Sequence, residues 1–199
     1  GGESIFLAGV FAMFATMVLG MGLPTVAAYL LGASVMAPAL IRLGVAPLGA
    51  HFFIFYYSIF AGLTPPVCAT VFIASALAKA KWVKTAMYAL LISVGAFVIP
   101  FVYLTNPALL LIGTVPEIIR VAISSTFGIL CLSVAGMGYL RGDAPWYLRV
   151  PLAVCGILLV MPSAMTDYIG YGIGIVSLAA QIFVCGPRAK KLAAAKKNA

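Results

Sequence analysis

Two stretches, Gly20-Met-Gly-Leu-Pro-Thr25 and Gly62-Leu-Thr-Pro-Pro66, interrupt long uncharged hydrophobic runs, and their reading decides the fold. A helix broken inside a membrane leaves backbone amides and carbonyls without partners, and hydrocarbon supplies none. Such a break persists only where protein or a polar cavity surrounds it. In membrane transporters, breaks of this kind are where solutes and ions bind. The simpler reading of each is a proline kink relieved by neighbouring helices.

The flanking runs set the scale. Ser4–Ile41 is free of charge over 38 residues, about 57 Å as continuous helix, whereas one crossing needs about 30 Å. The first break divides it into Ile5–Leu19 and Val26–Ile41, each about 15 residues and too short to span comfortably. This predicts a re-entrant helical hairpin over about 5–41, with two ordinary spans as the alternative. The second run, Leu43–Ala78, holds His51 and the second break. Its halves, His51–Ala61 and Val67–Ala78, predict one interrupted crossing over about 51–78. Thr85–Leu104 reads as an unbroken span, about 85–104. A mixed segment follows, Ala108–Ile123, carrying Glu117 and Arg120 and read as partly interfacial. Further spans are expected at Ser124–Leu140, Val150–Met165 and Tyr168–Gly186, before a basic tail from Pro187 to Ala199.

Composition agrees with this all-α polytopic membrane protein: 64% of the 199 residues are hydrophobic and 8% charged, which excludes a soluble domain. The net charge of +8 is not a nucleic-acid footprint, because ten of the twelve cations fall in short connections and the tail. With a cytoplasmic tail and one crossing per span, Lys79, Lys81, Lys84, Arg141, Arg149 and the tail cations lie inside. Arg42 and Arg120 lie outside, the bias expected of a plasma membrane protein. This parity favours a hairpin entered from the outer face. Trp82 and Trp146 sit beside the inner basic clusters, as interfacial anchors do. Cys68, Cys131, Cys155 and Cys185 stand singly in apolar runs and read as small buried hydrophobes. The opening Gly-Gly-Glu-Ser leads straight into an apolar run, so the chain is expected to be the C-terminal part of a longer protein.

Helix termini supply the chemistry of the breaks. Gly62 is expected to end one helix in the left-handed conformation, Thr64 to cap the next, and Pro65 to occupy its first helical position. Gly20, Gly22, Pro24 and Thr25 are expected to do the same at the hairpin tip. A starting helix offers amides and a positive dipole to an anion; a stopping helix offers carbonyls to a cation. Gly22, Pro24, Thr25, Thr64, Pro65 and Pro66 are therefore candidate carboxylate-binding residues, and Gly20, Gly22, Thr25, Gly62 and Thr64 a partial sodium site. Proton coupling usually needs an acid or histidine relay within the membrane. All four acidic residues (Glu3, Glu117, Asp143, Asp167) lie at segment ends or in connections, and His51 is read as interfacial, so sodium fits better than a proton.

Several ordered motifs resemble one family: Gly20-Met-Gly-Leu-Pro-Thr-Val-Ala-Ala-Tyr29, Ala37-Pro-Ala-Leu40, Leu43-Gly-Val-Ala-Pro-Leu-Gly-Ala-His51, Leu63-Thr-Pro-Pro-Val67 and Asn106-Pro-Ala-Leu109. Over about residues 1–112 the chain is similar to the large membrane subunit of tripartite ATP-independent periplasmic (TRAP) transporters. The likeness is strongest to the form in which small and large membrane subunits are fused. Residues 113–199 resemble the less distinctive C-terminal extension of some fused members. The resemblance implies sodium-driven uptake of an organic acid by an elevator motion in a bacterial inner membrane, with substrate delivered by a periplasmic binding protein. It also implies that this chain is the second of two inverted repeats. Gly20–Thr25 would then be the tip of the second hairpin and Gly62–Pro66 the unwound middle of a broken helix, one repeat's share of a site.

Other signals are weaker. Gly170-Tyr-Gly-Ile-Gly174 suits close helix packing rather than a nucleotide loop, which needs a preceding strand. The aromatic run Phe52–Tyr57 suits lipid or helix contact. An intramembrane enzyme would need converging catalytic groups, and no nucleophile–base pair or metal cluster is visible in the sequence; no cofactor besides the coupling ion is expected. The alternative to a permease is a membrane scaffold or assembly protein without transport.

Overall fold

The computed structural model describes residues 2–140, 144–160 and 164–197, with side chains described over 5–140, 144–160 and 165–182. The described residues are helical: α1 (Gly2–Gly20), α2 (Thr25–Arg42), α3 (Pro47–Ala61), α4 (Ala69–Leu77), α5 (Trp82–Thr105), α6 (Val115–Met137), α7 (Trp146–Val160) and α8 (Ala164–Lys197), with a 3-10 turn at Pro107–Leu110. By length and composition α2, α5 and α6 can each cross a membrane, and α1, α3 and α7 are shorter apolar helices. The chain divides into two compact units, one of residues 1–90 and 100–118, the other of 91–99 and 119–199.

In the first unit the helices α1, α2 and α3 pack on one another, and the pattern of burial reverses that of a water-soluble bundle. On α1 the buried residues include Gly9, Ala12, Thr16 and Gly20, at spacings of three and four, while Phe6, Leu7, Phe11, Phe14 and Val18 face outward. On α2 the inner face is Ala28, Gly32, Ala37 and Leu40. Lipid is as apolar as a leucine side chain, so burying large residues gains little there. Close backbone approach through small residues gains dispersion energy instead. The bulk is supplied by α3, whose Ala50, Phe53, Ile54, Tyr57, Ser58 and Ala61 form one buried stripe. A Cβ on Gly32 would come within 3.0 Å of Ile54. Phe101, at the far end of α5, meets Phe53 edge-to-face at 5.4 Å between centroids and Phe6 at 5.2 Å. The Phe52–Tyr57 run is thus split, with Phe53, Ile54 and Tyr57 inward and Phe52 and Phe55 outward.

The second unit repeats the device. Gly128 on α6 lies against Gly156 on α7, where an added Cβ would be 3.1 Å from the Gly156 carbonyl oxygen. Gly170 and Gly174 on α8 press on Leu159 and Cys155, so the glycine run does serve helix packing. Cys131 and Cys155 are buried free thiols of this core, Cys68 is one in the first unit, and Cys155 donates to the Gly170 carbonyl at 3.1 Å. Arg149 closes the C-terminus of α6 from outside: its Nε donates to Ala135 O at 2.8 Å and its Nη2 to Gly136 O at 2.9 Å. The cation also suits the negative end of the helix dipole.

Four expectations are revised. The arms α1 and α2 are 19 and 18 residues long, and α2 is long enough to cross, because helix continues to the edges of the turn. The helix before the second break begins at Pro47 rather than His51, since proline is preorganised for a first helical turn. Glu117 and Arg120 belong to the first turns of the continuous α6, not to a separate segment, because the chain breaks at Leu111 and Gly113, both at positive φ, and helix then runs unbroken from Val115 to Met137. Finally, α8 runs on through the basic tail to Lys197. Arg141 and Asp143 lie outside the described residues, as does the side chain of Cys185.

Candidate functional site at the paired helix breaks

The first break is a tight turn, Met21–Pro24. Gly22 takes φ +79°, the left-handed region that glycine enters without a Cβ clash. This lets Met21 donate to Val18 O at 3.3 Å and Leu23 to Gly20 O at 3.1 Å, closing the end of α1. Helix α2 then starts at Thr25 with Pro24 as its N-cap and no side-chain cap. Its first amides therefore lack a side-chain partner at the exposed tip formed by Gly22, Leu23, Pro24 and Thr25.

The second break is longer, Gly62–Cys68, and is built differently from the expectation. Gly62 is right-handed (φ −71°, ψ −18°) and continues the helical turn, with its amide bonded to Ile59 O. Thr64 does not cap α4; its hydroxyl donates back to Phe60 O at 2.8 Å, finishing α3. Pro65 is not a first helical residue, since α4 begins at Ala69 after Cys68. The reason is steric: a residue before proline is pushed out of the helical region. Thr64 precedes Pro65 and Pro65 precedes Pro66, so no helix restarts until the pair is passed. The Pro65–Pro66 peptide is cis. Thr70, in the first turn of α4, reaches back across the loop and donates to Gly62 O at 2.8 Å. Leu63 and Cys68 anchor the loop by packing with Val71, Ala86 and Ala89.

The two breaks are neighbours. A Cβ on Gly20 would lie 2.8 Å from Ala61 Cβ, at the last residue of α3, and one on Gly22 would lie 3.7 Å from Val67 in the second loop. Gly20 is buried in this contact, whereas Gly22, Pro24 and Thr25 are exposed and Gly62, Thr64 and Pro65 half-buried. Among the described residues no hydrogen bond joins Thr25 to the second loop. The shared chemistry is that of helix ends: at both breaks the stopping carbonyls accept bonds from nearby backbone or threonine donors. The starting amides of α2 and α4 carry no side-chain cap. Such an arrangement favours an anion at the starting ends.

Three polar residues near or away from this point escaped the sequence reading. Thr70 lies eight positions from the carbonyl it closes, across two prolines, so no local pattern exposes it. Thr16 is fully buried with an unpaired hydroxyl, against Gly32 and one turn before Gly20; its place in the small-residue stripe of α1 was a signal. Asp167, placed at a segment end by the sequence, is 5% exposed and lies 3.8 Å from Arg120 in the second unit. His51 is half-buried, and Tyr29 Oη and His51 Nδ1 are 3.0 Å apart, tying α2 to α3.

Helices inside-out in their packing, three of them of crossing length among the described residues, and paired glycine–proline breaks define a multi-pass helical membrane protein. A family model described as the tripartite ATP-independent periplasmic transporter, DctM component, matches residues 1–118. The chain belongs to that family, which makes it a membrane permease component of a TRAP transporter. No curated protein and no solved structure matches it.

Proposed function

We propose that this chain is the second repeat of a sodium-coupled permease that takes up organic acids handed over by a periplasmic binding protein. The observation that carries this reading is the apposition of the two breaks, Gly20 against Ala61 and Gly22 against Val67. It supports a shared cradle in which the uncapped starts of α2 and α4 face a carboxylate. Gly22, Pro24, Thr25, Thr64, Pro65 and Pro66 are its candidate lining, and Gly20, Gly22, Thr25, Gly62 and Thr64 the candidate neighbourhood of sodium. On this reading residues 1–112 form the transporting repeat with α1–α2 as a re-entrant hairpin, and 113–199 a C-terminal extension. The first repeat completes the site, and the small membrane subunit, fused or separate, is a partner. The elevator motion carries this cradle across a bacterial inner membrane, with the C-terminus cytoplasmic.

The test is uptake by the complete transporter in proteoliposomes with its binding protein and a panel of radiolabelled organic acids. Uptake is expected to require an inward sodium gradient and to persist without a proton gradient. Sodium-independent uptake overturns the coupling. Thr25→Ala is expected to lower uptake at least tenfold at unchanged expression; uptake at the wild-type rate removes Thr25 from the site.

A further inference from the structure

The corner between α4 and α5 carries a charge cluster that takes no part in the proposed cradle. Lys79, Lys81 and Lys84 are all exposed. All four acidic residues of the chain, Glu3, Glu117, Asp143 and Asp167, lie far from them in sequence, and the corner forms no ion pair among the described residues.

The backbone presents these charges at a cost. Helix α4 ends with Ala80 donating to Ser75 O at 3.0 Å and Lys79 to Ala76 O at 3.2 Å. This closure puts Lys79 in the left-handed region at φ +50°, the position where glycine is the usual occupant. A lysine there strains the backbone relative to glycine and places its ammonium at the turn. Lys81 is the extended N-cap of α5, and Lys84 lies in the first turn.

Below this rim the surface is apolar. Trp82 stacks on Phe72 at 4.9 Å and 22°, which fixes the indole across the corner while leaving it 40% exposed. Ile73 and Leu77 (82% exposed) on α4 and Val83 and Met87 on α5, the two helices that the Phe72–Trp82 stack joins, are exposed too and form an apolar skirt. A cationic rim, an indole at the boundary and an apolar skirt match a phospholipid from headgroup to acyl chain. A soluble phosphate would use the rim alone and leave the skirt unexplained.

We propose that the α4–α5 corner is a binding site for an anionic phospholipid. Its phosphate sits among Lys79, Lys81 and Lys84, and its acyl chains lie on Ile73, Leu77, Val83 and Met87 beside Trp82. The complete protein, with Trp146 and any tryptophan outside residues 1–199 replaced by Phe so that Trp82 is the sole indole, is reconstituted in phosphatidylcholine vesicles. Either brominated phosphatidylglycerol or brominated phosphatidylcholine is added at equal mole fraction, and quenching of Trp82 is read. Stronger quenching by the anionic lipid is expected. At about fivefold affinity per lysine near a membrane surface, Lys79→Gln/Lys81→Gln/Lys84→Gln should abolish most of the preference. Lys79→Gly, which relieves the backbone and folds at least as well, should lower it by about fivefold. Equal quenching by the two lipids in the parent protein overturns the proposal, as does a preference that survives the triple substitution. Displacement by glycerol phosphate added to the buffer also overturns it, because that would identify a general phosphate site rather than a lipid one.

Discussion

The two breaks answer one problem in opposite ways. Met21–Pro24 is short and depends on backbone freedom: a single left-handed glycine turns the chain, and its exposed tip makes no side-chain bonds among the described residues. Gly62–Cys68 depends on side chains: its glycine is right-handed, two threonine hydroxyls close its carbonyls, and a small apolar cluster pins it. The first is set by what one residue lacks and the second by what several residues add. A substitution should therefore act through conformation at the tip and through lost partners at the loop.

The contact between them is where the largest effect is expected. Gly20→Leu forces a side chain into the space between Ala61 and Ala28, whose methyl groups have nowhere to move. It should cost about 2 kcal/mol, as overpacking does, and lower the thermal unfolding midpoint of the purified protein. An unchanged midpoint would mean that the breaks are not packed together. Gly22→Ala comes next. The nearest side chain is Val67, in ordinary contact at 3.7 Å, so the loss of about 1–2 kcal/mol reflects the positive φ alone; Gly22→Asn, which tolerates that region better, should recover part of it. At the loop, Thr70→Val removes the bond to Gly62 O and should cost about 1 kcal/mol, with faster amide exchange confined to residues 62–70. Thr70→Ser should restore protection, and if it does not, the hydroxyl is not what closes the loop. The smallest effect on stability belongs to Thr25→Ala, within about 0.5 kcal/mol, since its side chain is exposed. A larger loss would show that the tip is held by contacts outside this chain.

The same contrast explains how far the sequence could be read. The positions of both breaks were legible because glycine and proline punctuate helices whatever surrounds them, and the uncharged runs around them announced membrane helices. Gly22 in a left-handed turn followed from that chemistry. The second break was legible as a break but not in its caps. Pairing Gly62, Thr64 and Pro65 with stop, cap and start treated them as local signals, and the second proline, by displacing helix from the residue before it, moved the restart to Ala69. Thr70 bonding to Gly62 is a product of the folded loop and leaves no mark in spacing. Arm lengths were underread at their ends, because the helices take in residues of the turn and the flanking charge: α1 extends to Gly20, and α2 runs from Thr25 to Arg42 rather than from Val26 to Ile41. The burial of Asp167 depends on the packing of α6 and α8, which its position beside a connection conceals. The small-residue faces of α1 and α6 were present in the sequence at regular spacing, and in lipid they are the better guide to which side packs.

The threonine bonds across the second break also bear on how the chain is made. Thr64 to Phe60 and Thr70 to Gly62 span four and eight residues, so both can form inside a single segment without a contribution from any other helix. A helix interrupted in this way carries its own side-chain donors for the Phe60 and Gly62 carbonyls. The break is thus insertable as a unit, and the hairpin can dock later onto a loop already closed.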